Sequence, residues 1–219
     1  MKKLLNLLTV AIVLSVIFVA CDKENGGKND NGNATTINAT NVVGATSNIA
    51  TVKAFVGGFE VASSKYQNNG FTLKLKKTVP NESLGYVTTI DWKNICSWLW
   101  WKGIPYRLIS DQSSFCGILE IYAYDNSDRI IGNISLGERR DGSSDYGDYI
   151  QVCYVYADKD FSINGVNENC QFNCSFKKGW NIVYLCEYPT PGGDYQYDWV
   201  MTSTKPSNAN LKWYYNSNN

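Results

Sequence analysis

The chain is expected to fold as an all-β domain, an antiparallel β-sandwich of about ten strands. Short runs rich in Val, Ile, Phe, Tyr and Thr recur at close intervals, divided by Asn, Gly, Asp and Ser. Several of them alternate strictly between apolar and polar residues. After the first 20 residues, no long segment carries a 3.6-residue apolar period.

Taken in order, residues 49–56 and 59–65 flank Gly57-Gly58, a strong hairpin signal. Asn69-Gly70 leads into residues 71–76, where Phe71, Leu73 and Leu75 face inward and Thr72, Lys74 and Lys76 outward. Residues 83–108 are ambiguous and leave room for a short helix. Residues 117–124 and 129–135 flank the tight connection Asp125-Asn126-Ser127-Asp128, and residues 149–157 and 161–163 follow as strands. Residues 170–188 read as the clearest hairpin. A Lys178-Gly179 turn would set Phe176 beside Asn181, Cys174 beside Val183 and Phe172 beside Leu185. Residues 199–203 and 211–215 complete the set. The spacing also permits two smaller β subdomains joined near Pro80 or Ser110.

The N-terminus sets the expected compartment. Lys2 and Lys3 precede an apolar run over residues 4–20 that ends at Cys21, the layout of a secretory signal. A membrane span is the competing reading, but Asp22-Lys23-Glu24-Asn25 carries no basic stop-transfer cluster. Phe18-Val19-Ala20-Cys21 resembles the lipobox of bacterial lipoproteins, in which the cysteine is diacylated and becomes the first residue. Asp22-Lys23-Glu24 is similar to the surface-export signal of lipoproteins from Bacteroidetes. The expected organisation is therefore a signal peptide over 1–20, a lipidated Cys21 and polar flexible tether over 21–36, and one β-domain over 37–219. The resemblance implies an outer-membrane, lipid-anchored (palmitate-bearing), surface-exposed protein, with a periplasm-facing orientation as the alternative.

Composition narrows the chemistry. Lys and Arg total 20 and Asp and Glu total 20, and Lys2 and Lys3 belong to the leader, so the mature chain is slightly acidic. It offers no electrostatic footprint for nucleic acid. There is no histidine at all. That excludes Ser-His-Asp and Cys-His nucleophile systems and every zinc site built on imidazole. No catalytic residues, cofactor or metal ligands are nominated. Beyond Cys21 the cysteines are Cys96, Cys116, Cys153, Cys170, Cys174 and Cys186. In an exported protein an even set suggests a disulfide framework, with Cys96–Cys116, Cys170–Cys186 and Cys153–Cys174 as the pairs to test; buried thiols are the alternative.

Further resemblance lies in Tyr154-Val155-Tyr156-Ala157-Asp158-Lys159-Asp160, Ile163-Asn164-Gly165 and Lys177-Lys178-Gly179-Trp180-Asn181-Ile182-Val183-Tyr184. To these are added Asn69-Gly70-Phe71-Thr72-Leu73-Lys74-Leu75, Thr202-Ser203-Thr204-Lys205-Pro206 and Leu211-Lys212-Trp213-Tyr214-Tyr215. Together they resemble small exported lipoproteins of unknown function of the Bacteroidetes type. These are strand and turn motifs, so the resemblance implies fold and location and no site.

Candidate contact residues come from the aromatics. Residues 91–107 carry Trp92, Trp98, Trp100 and Trp101, with Lys102, Tyr106 and Arg107 close by. If exposed, Trp98, Trp100, Trp101 and Tyr106 would form a platform for a glycan or an envelope or host protein; otherwise Trp98 and Trp100 fill the core and Trp101 covers a sheet edge. Tyr195 and Tyr197, in an aromatic-acidic segment after Pro189-Thr190-Pro191-Gly192-Gly193, are the second group. Asp141, Asp145 and Asp148, and Asp158 with Asp160, are loop carboxylates that do not fit EF-hand spacing, since Tyr146 and Ile163 stand where the glycine turn would fall. Arg139-Arg140 reads as a solvated basic pair. The expected function is a lipid-anchored, non-catalytic binding module for glycan or protein, with a structural or accessory subunit of an envelope complex as the alternative.

Overall fold

A computed structural model of the chain describes residues 35–89, 104–139, 148–168, 170–189 and 197–217, with the backbone alone at 148–149, 189 and 197–198. The strands among these residues are, in chain order, β1 (Thr36–Ala39), β2 (Thr51–Val56), β3 (Phe59–Lys65), β4 (Phe71–Lys74), β5 (Gly85–Tyr86), β6 (Phe115–Ile118) and β7 (Glu120–Tyr124). They continue with β8 (Ile130–Arg139), β9 (Asp148–Ala157), β10 (Phe161–Asn167), β11 (Cys170–Phe176), β12 (Gly179–Pro189), β13 (Tyr197–Thr202) and β14 (Lys212–Ser217). No α-helix occurs among the described residues. Among its described residues the ambiguous region holds the 3-10 turn Tyr106–Leu108 and the short strand β5; another 3-10 turn, Asn81–Ser83, precedes β5. Residues 90–103 lie outside the description.

Local chemistry explains the first hairpin. β2 and β3 are joined by Gly57 and Gly58 at φ 52° and 82°, the left-handed pair that a two-residue turn requires. At Gly57 an added Cβ would lie 2.3 Å from the Ser83 carbonyl oxygen, so no other residue fits without rearrangement. Phe71, Leu73 and Leu75 are buried while Thr72, Lys74 and Lys76 are exposed, as the alternation predicts. β4 pairs with β1 to make a separate two-stranded sheet, Ile37 opposite Leu73. Thr36, expected in the tether, already belongs to β1, and Ile37 is only 1 % exposed. Polar Thr and Asn hide this strand in composition, because only Ile37 and Ala39 point inward.

The remaining strands form one sheet that folds on itself as a sandwich. Pairing is antiparallel except between β11 and β13. β3, β2, β7, β8 and β14 make the first layer, and β9, β12, β13, β11 and β10 the second. β8 joins them by changing partner along its length: Ile130–Asn133 pairs with β7, and Leu136–Arg139 with β9. β2 pairs with β7, so strands before Pro80 and after Ser110 share one sheet. The two smaller subdomains that the spacing permitted are therefore not separate sheets.

Three cores result. The first holds Val52, Ala54, Leu73, Ile134, Tyr156 and Trp180, and lies between the first layer, the β1–β4 pair and β9 and β12. The second lies on the opposite face of the second layer, around Val155, Phe172, Phe176 and Leu185, and is covered by Val87, Ile104 and Ile109. A small third one gathers Ile150, Val152, Tyr184 and Cys186 beneath Ala209 and Leu211. Three strand edges carry further backbone bonds at single points. The Val43 backbone bonds Trp213 and Tyr215 of β14, Lys76 N–H donates to the Val61 carbonyl of β3, and Ser110 N–H donates to the Ser162 carbonyl of β10.

The expected 170–188 hairpin is corrected. β13 lies between β11 and β12, paired with both, and β12 pairs on its other side with β9. Cys174 therefore stands opposite Ile163, Val183 opposite Cys153, and Leu185 opposite Met201. Asn181, 5 % exposed, holds the link between the splayed strands. Its side chain accepts from Lys177 N–H (2.8 Å) and donates to the Lys177 and Gly179 carbonyls (2.7 and 2.9 Å).

The same insertion overturns two disulfide expectations, and there is no disulfide among the described residues. Cys170 stands opposite Trp199 and Cys186 opposite Val200, adjacent residues of β13, so the two thiols lie on opposite faces and two strand spacings (roughly 10 Å) apart. Cys153 and Cys174 share the second core, but β12 and β13 run between their strands. Cys96 lies outside the described residues. Its proposed partner Cys116 is a free, fully buried thiol. Burial pushes the Cys116 and Cys174 thiols up to about 12, so neither forms thiolate near neutrality. Maleimide labelling read by peptide mass spectrometry is expected to leave Cys116, Cys174 and Cys186 unmodified in the folded protein at pH 8 and to modify all three in guanidinium. Rapid labelling of Cys116 or Cys174 without denaturant would contradict this packing.

Candidate functional site

Three of the exposed large apolar side chains stand toward one end of the second layer, while Val43, Tyr86 and Ile130 are exposed elsewhere. Pro105 begins the 3-10 turn Tyr106–Leu108 with φ −60°, and the Ile109 N–H closes it on the Tyr106 carbonyl at 3.1 Å. Leu108 then packs over Gly165. A Cβ at that glycine would fall 2.7 Å from Leu108 Cδ2, and its φ of +128° independently favours glycine. Ile109 bridges to Ile163 along the β10 edge. Arg107 donates from Nη2 to Asn167 Oδ1 at 3.3 Å, and Gln112 Nε2 donates to the Tyr106 carbonyl at 3.1 Å. With Leu108 and Ile109 turned inward, Tyr106 is left 58 % exposed.

Val166, 60 % exposed, ends β10 beside this turn. Three strands further across, Tyr188 of β12 is 37 % exposed and stands opposite Asp198, while Pro189 stands opposite Tyr197. Cys170 pairs with both Asn167 and Trp199, so Tyr197 lies at the level of the β10–β11 turn. The fold thus brings Tyr106 and Tyr197 to one end of one sheet, although 91 positions separate them in the chain. Trp98, Trp100, Trp101 and Tyr195 lie outside the described residues, as does Cys21. The residues flanking 90–103 are nevertheless anchored: Val87 and Ile104 are both buried in the second core.

Val166 and Tyr188 were not singled out in the sequence. Val166 carries a detectable signal, since Phe161 and Ile163 alternate inward and Val166 breaks that period with an apolar residue on the outer face.

The loop carboxylates act as ties. Asp158 accepts the Phe115 N–H at 2.8 Å, and Asp160 accepts the Lys178 N–H and the Lys177 ammonium, both at 2.8 Å. Asp111 is held down to about 2 by the Lys159 ammonium and by the hydroxyl and N–H of Ser113. Asp148 opens β9, and Asp141, Asp145 and Arg140 lie outside the description. Arg139 is corrected. It is exposed as expected, but it ends β8 instead of lying in a loop, its guanidinium 4.0 Å from the Tyr214 ring centroid and hydrogen-bonded to Asn216. Among the described residues no three Cys, Asp or Glu side chains converge as metal ligands.

What the sheet end offers is aromatic face, an aliphatic knob and a guanidinium fixed by an amide. That is contact chemistry. Comparison of the chain with protein-family models, with curated proteins and with solved structures finds no match.

Proposed function

We propose that this chain is an exported, lipid-anchored, non-catalytic binding module that meets a glycan or protein through the end of its second layer. The observation that carries the reading is that Tyr106, Val166 and Tyr188, each more than a third exposed, all stand toward that end of the second layer, spread over the width from β10 to β12. The Tyr197 backbone lies at the same end, and Trp98, Trp100, Trp101 and Tyr195 are candidate contacts from the sequence alone. The Cys21 lipobox supplies the anchor in this reading, with the outer membrane as location. Buried thiols are compatible with export, because oxidation proceeds through a thiolate in contact with its oxidant.

Glycan-array and partner-capture profiles of the full-length chain in detergent test this. Tyr106→Ala and Trp101→Ala are each expected to weaken the strongest signal about tenfold, as truncation of an aromatic anchor does. At Tyr106 the unfolding midpoint should hold, because the side chain is exposed. Profiles unchanged in both variants reject the sheet end as the contact surface.

A further inference from the structure

The outward face of the first layer carries a second polar-aromatic surface, away from the sheet end. Register places Lys53, Tyr122, Asn133 and Asn216 in one row across β2, β7, β8 and β14, a span of roughly 14 Å at ordinary strand spacing. Next to that row Ser135 stands opposite Tyr214. The amides are tied to each other: Asn216 Nδ2 donates to Asn133 Oδ1 at 2.8 Å and to Ser135 Oγ at 3.2 Å, and Arg139 donates to Asn216 Oδ1. Phe55 and Tyr122 flank the amides with ring centroids 6.1 Å apart, tilted by 58°. Phe55, Tyr122 and Tyr214 belong to none of the three cores, and Asn133 is exposed.

We infer that this face binds a neutral oligosaccharide. Its centre is uncharged and offers donors and acceptors side by side, as the hydroxyls of a sugar require. The charges around it are engaged or negative: the Tyr122 hydroxyl donates to Glu120, and Glu60 lies near Lys53 and Tyr124. Lys53 is paired with Asp128 at 2.6 Å and lies over the Tyr124 ring, and Arg139 stacks on Tyr214, so the face makes no demand for an anion. The mutual hydrogen bonds hold the amides in place before a ligand arrives, which lowers the entropy lost on binding. A protein partner would need a protruding apolar anchor. None of Phe55, Tyr122 and Tyr214 is exposed beyond about a third, whereas a sheet face of part-exposed rings beside amides suits a sugar ring. This site does not depend on the sheet end proposed above.

The test is binding of the full-length chain in detergent to immobilised neutral gluco-, manno-, galacto- and xylo-oligosaccharides, with sulfated and uronic-acid forms alongside. At least one neutral series should be retained. Asn133→Ala and Tyr122→Ala are each expected to weaken it about tenfold, the equivalent of one well-made contact. Asn133 is exposed, so its variant keeps the test valid if Tyr122→Ala unfolds. Failure to retain any neutral series, retention of acidic forms alone, or binding equal in the parent and Asn133→Ala would overturn the inference. Loss in Tyr106→Ala without loss in Asn133→Ala would overturn it too, by assigning the glycan to the sheet end.

Discussion

Trp180→Ala is expected to destabilise the fold by about 3–5 kcal/mol, the range for truncating a large buried aromatic. Trp180 opens β12 next to Gly179 and is 6 % exposed within the first core. Its ring meets Tyr156 edge-on, with centroids 5.3 Å apart and planes at 75°. Its Nε1 donates to the Lys76 carbonyl at 2.8 Å across 104 positions of sequence. Lys76 is in turn bound to β3, through its N–H to the Val61 carbonyl and its ammonium to the Glu60 carbonyl. One indole therefore ties the second layer to the edge of the first. Alanine would open a cavity, remove the aromatic pair and take away the hydrogen bond. Domains of this kind are held by about 5–15 kcal/mol in all, so the loss is a large share of the total. Trp180→Phe separates the contributions: it keeps a ring but gives the Lys76 carbonyl no indole donor, for an expected cost of about 1–3 kcal/mol. Guanidinium unfolding reads both. An alanine variant within about 1 kcal/mol of the parent would mean that the layers are not joined here.

How much of this was legible depended on how local the information was. Gly57-Gly58 carries its turn type in two residues, and the strict alternation of residues 71–76 carries its inward face, so both came through. Chain adjacency misled at β11 and β12. Alternation states which side chains point inward but not which strand lies alongside, and β13, from 20 residues further on, takes the place between them. Asn181 is the residue that makes the splayed link possible, and it looks like any turn asparagine until its four-residue reach back to Lys177 is seen. β1 was missed because two inward residues among Thr and Asn make no compositional signal. Candidate sites followed the same rule. Tyr106 and Tyr197 could be nominated singly as aromatics in loops, but their arrival at one end depends on the β10–β11–β13 order. The row from Lys53 to Asn216 exists only through the pairing of β2, β7, β8 and β14, which no local pattern encodes.

Cys21→Ser is expected to abolish lipid anchoring, leaving the chain either uncleaved and held by its leader or free of the membrane. The reading rests on Lys2 and Lys3, the apolar run to Ala20 and the small residue before Cys21. One acyl chain contributes about 0.8 kcal/mol per buried CH₂ and holds a protein only marginally, whereas two or more hold it stably. A diacylated cysteine should therefore give an all-or-none partition, and a hydroxyl, which cannot carry the thioether-linked diacylglyceryl group, should abolish it. The parent chain is expected to incorporate labelled palmitate and to enter the detergent phase; Cys21→Ser should lose the label and either accumulate with its leader uncleaved or leave the membrane fraction. Protease added to intact cells then separates the two leaflets: degradation of the domain places it on the surface, and protection until lysis places it in the periplasm. Palmitate label retained in Cys21→Ser would remove Cys21 as the anchor. A parent chain that is membrane-bound, unlabelled and uncleaved would instead assign residues 4–20 to a spanning helix, because an apolar run of that length suffices to cross a bilayer without any lipid.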